Sequence, residues 1–305
     1  MQTNLADFIK HTQEGQEADA ILRKCVHCGF CTATCPTYQL LGDELDGPRG
    51  RIYLMKQVLE GKEVTRKTQL HLDRCLTCRN CESTCPSGVQ YGRLVDIGRH
   101  LVEKQVRRPV AERVLRTTLK EFLPRKWLFN PAMKLGQVVR PLLPSALKNK
   151  VPAAQNAGVW PKTSHARKML LLDGCVQPAM SPNINAATAR VLDALGVELI
   201  VAPKVGCCGA IRHHLNDQSG GLEDMRRNID AWWPYVEAGA EAIVMTASGC
   251  GSMVKEYGHL LAQDAFYAKR AQKISELTKD LSEIMPAFEQ ELANKIGKIN
   301  KRVAY

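Results

Sequence analysis

Aromatic residues are scarce, at 6 % of 305 residues. A single-strand nucleic-acid binder that stacks bases on exposed rings needs a richer supply. No helix-turn-helix signal stands out either, so nucleic acid is not an expected partner. No apolar run approaches the roughly 18 residues that a membrane-spanning helix needs. The opening stretch MQTNLADFIKHTQEG has no basic segment leading into an apolar one and does not read as a secretory signal. The expected compartment is therefore the cytoplasm, where structural disulfides are discouraged. Cysteine, by contrast, is plentiful. Twelve thiols in a reducing compartment point to metal or redox chemistry.

The thiols form three groups of four. Cys25, Cys28, Cys31 and Cys35 lie in CVHCGFCTATCP. Cys75, Cys78, Cys81 and Cys85 lie in CLTCRNCESTCP. Cys175, Cys207, Cys208 and Cys250 are far downstream. Each of the first two groups reads C-x2-C-x2-C-x3-C-P, the spacing of two-cluster bacterial ferredoxins, in which the fourth cysteine serves the other cluster. Three thiolates on one tight loop can grip three irons of a cubane, and the fourth iron needs a ligand from elsewhere. The proline then turns the chain away. Two [4Fe-4S] clusters are expected, one held by Cys25, Cys28 and Cys31 with Cys85, the other by Cys75, Cys78 and Cys81 with Cys35. Structural zinc usually takes two spaced pairs, and a zinc-stabilised basic binding module is the competing reading of another class. Gly29, Thr34, Asn80 and Thr84 leave room for backbone N–H groups to face sulfide. His27 is expected to face solvent rather than to be a ligand.

Between the runs, Pro48 can begin a helix. Ile52, Leu54, Met55, Val58 and Leu59 give it an apolar face, and Gly61 ends it. A short helix over about 65–74 leads to the second run. Arg49 and Arg51 read equally as a surface pair at a helix start or as charges offsetting a cluster. From Arg99 to Lys150 thirteen Lys/Arg face three Asp/Glu, a balance of +10 in a chain of +11. Pro109, Pro124, Pro131, Pro141 and Pro144 break this segment into short helices, of which 110–123 reads as amphipathic. It suits a solvated connector, a dock for an acidic partner subunit, or a contact with an anionic membrane surface.

Beyond residue 166 the pattern changes. MLLLDGC, VELIVAP and AIVMTAS read as buried strands that alternate with helices, which predicts a parallel sheet. Cys175, Cys207, Cys208 and Cys250 each follow a strand end, where such folds build sites. They form either a third redox or cofactor site or a set of small buried packing residues. His213 and His214 are expected on a helix surface.

Two ferredoxin-type runs followed by DGC, CCG and SGCG resemble the electron-transfer subunits with cysteine-rich CCG domains. That family includes heterodisulfide reductase, anaerobic glycerol-3-phosphate dehydrogenase and lactate-utilisation subunits. CVHCGFCTATCPTYQLLGDELDGPRGRIYLMK and CLTCRNCESTCPSGVQYGRLVDIGR are especially similar to the iron–sulfur subunits of bacterial glycolate oxidases. The resemblance runs from residue 1 to about 285. It implies an α+β chain: a mainly helical bis-[4Fe-4S] ferredoxin-type domain (1–98), a basic helical connector (99–166), an α/β cysteine-rich domain (167–285) and a polar tail (286–305). It implies an electron-transfer subunit without substrate-oxidising residues, working beside a flavoprotein that carries FAD and oxidises glycolate to glyoxylate. Electrons would pass towards quinone, with the chain peripheral on the inner face of the membrane through residues 99–150. Lactate or glycerol-3-phosphate are the alternative substrates of the partner. Two departures stand out. Met253 occupies the second cysteine position of the family's C-x-x-C, and the 305 residues contain no second CCG repeat, so a third cluster built from two repeats is not expected within them.

Overall fold

The computed structural model describes residues 1–296. The chain divides into two compact units, residues 1–115 and the part from Arg116 onward.

The first unit is helical: α1 (Asp7–Lys10), α2 (Gln13–Lys24), α3 (Phe30–Ala33), α4 (Pro36–Leu41), α5 (Pro48–Leu59), α6 (Arg66–Asp73), α7 (Asn80–Ser83) and α8 (Tyr91–Gln105), leading into α9 (Val110–Phe122). Sequence sets the boundaries. The Thr12 and Thr65 side chains accept from the Gly15 and Thr68 amides and so cap α2 and α6. Pro36 and Pro48 stand in the first turn of α4 and α5, where a missing N–H costs nothing. The core joins Ile21 and Leu22 of α2, Ile52, Met55, Val58 and Leu59 of α5, and Leu94, Val95, Leu101 and Val102 of α8. Cys25 and Cys81 are part of it, and Cys31, Cys75 and Cys85 pack against it. The boundary expected at residue 98 falls inside α8.

A polar network stiffens this frame. Asp46 is fully buried and accepts from Arg74 Nη1 at 2.7 Å and from His71 Nδ1 at 3.0 Å. Burial pushes its pKa up, but the hydrogen bonds and charges of His71 and Arg74 outweigh this and hold it low. Arg51 donates to the His71 carbonyl at 2.7 Å and to Thr37 Oγ1 at 3.1 Å. It is 1 % exposed, which corrects the surface-pair reading of Arg51.

In the second unit, α10 (Lys126–Val139) and α11 (Ser145–Lys148) precede a sheet of β1 (Arg167–Leu171), β2 (Val197–Ile200), β3 (Ile243–Met245) and β4 (Thr278–Asp280). The strands run parallel in the order β2-β1-β3-β4. Met169 pairs with Leu199, Leu170 with Ile243 and Val244 with Lys279. Alternate residues serve opposite faces. Leu170, Ile243 and Met245 pack with Met225, Ile229 and Trp232, whereas Met169, Leu171 and Val244 pack with Leu192 and Phe288. A parallel sheet buried on both faces needs continuous apolar strands, as the sequence suggested. The connecting helices are α12 (Gln177–Met180), α13 (Pro182–Ala194), α14 (Ala210–His214), α15 (Gln218–Glu237), α16 (Ser248–Lys255), α17 (Tyr257–Leu260) and α18 (Ala268–Leu277). Helix α10 buries Phe129 and leaves Trp127, Leu135 and Val138 exposed; Val110, Val114 and Leu115 of α9 are exposed too. The expected polar tail is helical over Glu289–Lys295, and its residues after 296 lie outside the described part.

Candidate metal centres

Both ferredoxin-type runs fold alike. Cys25 ends α2, the one-turn helix α3 follows, and Cys35 leads into α4. In the second run, α7 takes the place of α3. The backbone is left-handed at His27 and Gly29 (φ 57° and 86°) and at the equivalent Thr77 and Arg79 (φ 55° and 60°). Three of these four residues carry a Cβ, for which that region costs roughly 1–2 kcal/mol. Strain repeated at matching positions marks a constraint. Alternating backbone handedness turns N–H groups into a concavity that suits an anionic group. The two short helices α3 and α7 pack against each other.

Two cavities open beside these loops. The first is lined by Cys25, Cys28, Cys31 and Cys85. The second is lined by Cys35, Cys75 and Cys78. Cys81 borders both. Cys25, Cys35 and Cys81 are buried, while Cys28 and Cys78 are exposed. Burial, followed by the charges of Cys25, Cys85 and Cys28, pushes the Cys31 thiol up to about 11. Burial and then Cys75 push Cys81 up. Packed thiolates repel, and a bound cationic metal group removes that penalty. Among the described residues no three thiol sulfurs lie within 4.8 Å of one another. That is wider than the sulfur spacing of a single tetrahedral zinc, about 3.8 Å for 2.3 Å bonds. The donor set therefore fits a multi-iron group better than zinc.

Cations and polar atoms complete the walls. Arg49 lies over the first loop, where a Cβ on Gly29 would come within 2.7 Å of its Nη1. Arg51 lines the second cavity. Arg99 donates to the Cys75 carbonyl at 2.6 Å, to the Leu72 carbonyl at 2.9 Å and to Thr77 Oγ1 at 3.1 Å, which pins the second loop. Nothing local in the sequence marked Arg99, because its partners are backbone carbonyls some 25 residues away. His27 is a correction: it is half-buried, lines the first cavity, and its Nε2 is buried without a partner.

The downstream cysteines gather at the C-terminal ends of β1, β2 and β3. Cys175, Cys207 and Cys208 are buried, and Cys250, in α16, is half-buried. They form a chain of sulfur hydrogen bonds, Cys175 to Cys207, Cys207 to Cys208 and Cys208 to Cys250. Hydrogen bonds from Cys175 and Cys208, then the Gly209 and Ile211 amides, pull Cys207 well below a normal thiol despite its burial. Cys175 and Cys208 are pushed up in exchange. Asn228 donates to the Cys207 carbonyl at 2.7 Å and Tyr257 to the Cys208 carbonyl at 2.8 Å, so the vicinal pair is held from behind. Gly209 has φ 89°, and a Cβ there would meet the Gly221 carbonyl at 2.9 Å, so the turn after the pair requires glycine. Met253 is buried in the same core as Cys175, Cys207 and Cys208. His213 is buried at 7 % exposure and meets the His214 ring edge-on at 5.5 Å, which corrects its expected surface position.

Fold and site together define an iron–sulfur protein with a dicluster domain followed by a cysteine-rich domain. Residues 21–89 match the 4Fe-4S dicluster domain family and residues 169–255 the cysteine-rich domain family. The chain belongs to the family of glycolate oxidase iron–sulfur subunits. It is 60 % identical over 286 residues to the "Glycolate oxidase iron-sulfur subunit" of Escherichia coli K12, covering 93 % of this chain and 70 % of that one. It is 30 % identical over 307 residues to the "Probable glycolate oxidase iron-sulfur subunit" of Bacillus subtilis, covering 92 % and 67 %. "Lactate utilization protein A" of Bacillus cereus is 29 % identical over 118 residues, 39 % of this chain and 47 % of that one. No solved structure matches the chain significantly. No helix among the described residues is long and apolar enough to cross a membrane.

Proposed function

We propose that Cys25, Cys28, Cys31 and Cys85 hold one [4Fe-4S] cluster, and Cys75, Cys78, Cys81 and Cys35 another. One observation carries this reading: Cys85 of the second run lines the cavity of Cys25, Cys28 and Cys31, Cys35 of the first run lines that of Cys75, Cys78 and Cys81, and only Cys81 borders both. Bound there, the clusters supply one-electron transfer. The protein's part is to shield them, to orient the loops through Arg99 and the Asp46 network, and to leave Cys28 and Cys78 near the surface. The chain then serves as the non-catalytic relay of a glycolate-oxidising complex. FAD sits on a partner flavoprotein, and electrons leave towards quinone. The family supports this role.

The basic segment 99–150 is proposed as the docking region for that partner or for the inner membrane surface of a cytoplasmic protein. Its contacts should weaken with salt, since exposed charges are screened beyond about 8–10 Å. The four downstream thiols are proposed as a separate redox or cofactor site centred on Cys207. The test is anaerobic purification of the chain with its co-purifying partners. The reading requires close to eight irons per chain in the dicluster unit, brown colour, an EPR signal on reduction, and dye reduction driven by glycolate. Activity with lactate or glycerol-3-phosphate instead would reassign the complex. A colourless zinc protein would end the relay reading.

A further inference from the structure

Tyr91 opens α8 and is 4 % exposed. Among the described residues it lines both cavities, as do only Pro48 and Cys81. Proline has no N–H and Cys81 is assigned as a ligand, so Tyr91 alone brings a spare donor to the common wall. Its hydroxyl is buried without a well-formed hydrogen bond, its hydrogen-bonding neighbour being the Cys75 sulfur, although a buried phenol ordinarily finds a full partner. The side chain feels the Cys75 and Cys81 sulfurs. The first run has no equivalent. Tyr91 stands five residues after Pro86, and five residues after Pro36 comes Leu41, an apolar residue 47 % exposed.

We propose that the Tyr91 hydroxyl donates a hydrogen bond to a sulfur of the group held by Cys35, Cys75, Cys78 and Cys81, and that this bond sets that group's reduction potential above its twin's. The assignment rests on the two-cluster reading above. A donor to sulfur stabilises the more negative, reduced form, which raises the potential. Tyr91 is a positioning and tuning residue and reacts with nothing itself.

The test is an EPR-monitored redox titration of the full chain, reconstituted anaerobically. In Tyr91→Phe one of the two midpoints falls and the other holds, with iron content unchanged. With 3-fluorotyrosine at position 91, a stronger donor of nearly the same shape, the same midpoint rises. The second variant decides the matter should the first fail to load iron. Midpoints that stay put, or that move together, overturn the assignment. Wild-type protein without two titrating clusters would overturn the parent reading, and this one with it.

Discussion

At the scale of single residues, the fourth cysteine of each run is the informative one. Cys35 belongs by sequence to the first loop, yet it lines the cavity of the second. Cys35→Ser should therefore abolish the EPR signal of the cluster held by Cys75, Cys78 and Cys81 and leave the other largely intact; loss confined to the first-run cluster would refute the exchange. The thiol spacing suggested this exchange before any fold was known, because reach along a tight loop is a local property. Tyr91, Arg99 and the ring of His27 were not legible. A lone tyrosine or arginine at a helical position looks like any core or surface residue, and only folding brings it to a thiol wall. His213 misled for a related reason: adjacent histidines on a short helix look solvated, but α14 is only five residues long and packs on α15.

At the scale of elements, capping and charge explain how the second unit keeps its site in order. Asp217 caps α15, whose Met225, Asn228, Ile229 and Trp232 are buried, with Asn228 held behind Cys207. Burial raises the Asp217 pKa, but Lys120, the Gly220 amide and the charge of Arg212 more than compensate and keep it low. A depressed carboxyl pKa adds stability that is present above the unfolded value, about 3.9, and is lost as pH falls through the folded one. Asp217→Asn keeps the cap and drops the charge. Its unfolding midpoint, followed through the buried Trp232, should lie below wild type at pH 7 and converge with it as pH drops under about 4. An unchanging gap would mean that the charge is not responsible. Strands β1, β2 and β3 announced themselves by apolar runs. Strand β4, Thr278–Asp280, did not, since TKD is short and polar and pairs only at the sheet edge with β3. Its place is fixed by the sheet rather than by its own composition.

At the scale of the molecule, the two units are held by different means. The sheet unit has two hydrophobic clusters of its own. In the helical unit, five of the eight run cysteines sit in or against the single core. Emptying the cavities should loosen residues 1–115 selectively. After treatment with a chelator and ferricyanide, trypsin should cut this unit roughly tenfold faster or more, while a fragment containing 167–285 survives, as mass spectrometry would show. Equal protection of both units would contradict a metal-dependent core. The same division explains what could be read from the chain as a whole. The thiol runs, the change to strand–helix alternation after residue 166 and the +10 balance of 99–150 were all visible, because each is a pattern of composition. Where one compact unit gives way to the next was not visible, because the division falls inside α9, after Leu115, where no change of composition marks it.

Each cavity borrows its last wall from the neighbouring loop. Iron that settles on one loop thus draws in a thiol of the other and readies that loop for its own cluster. Wild-type populations caught during biogenesis should hold fewer half-filled molecules than independent filling would give, whereas loss of a fourth cysteine should trap one.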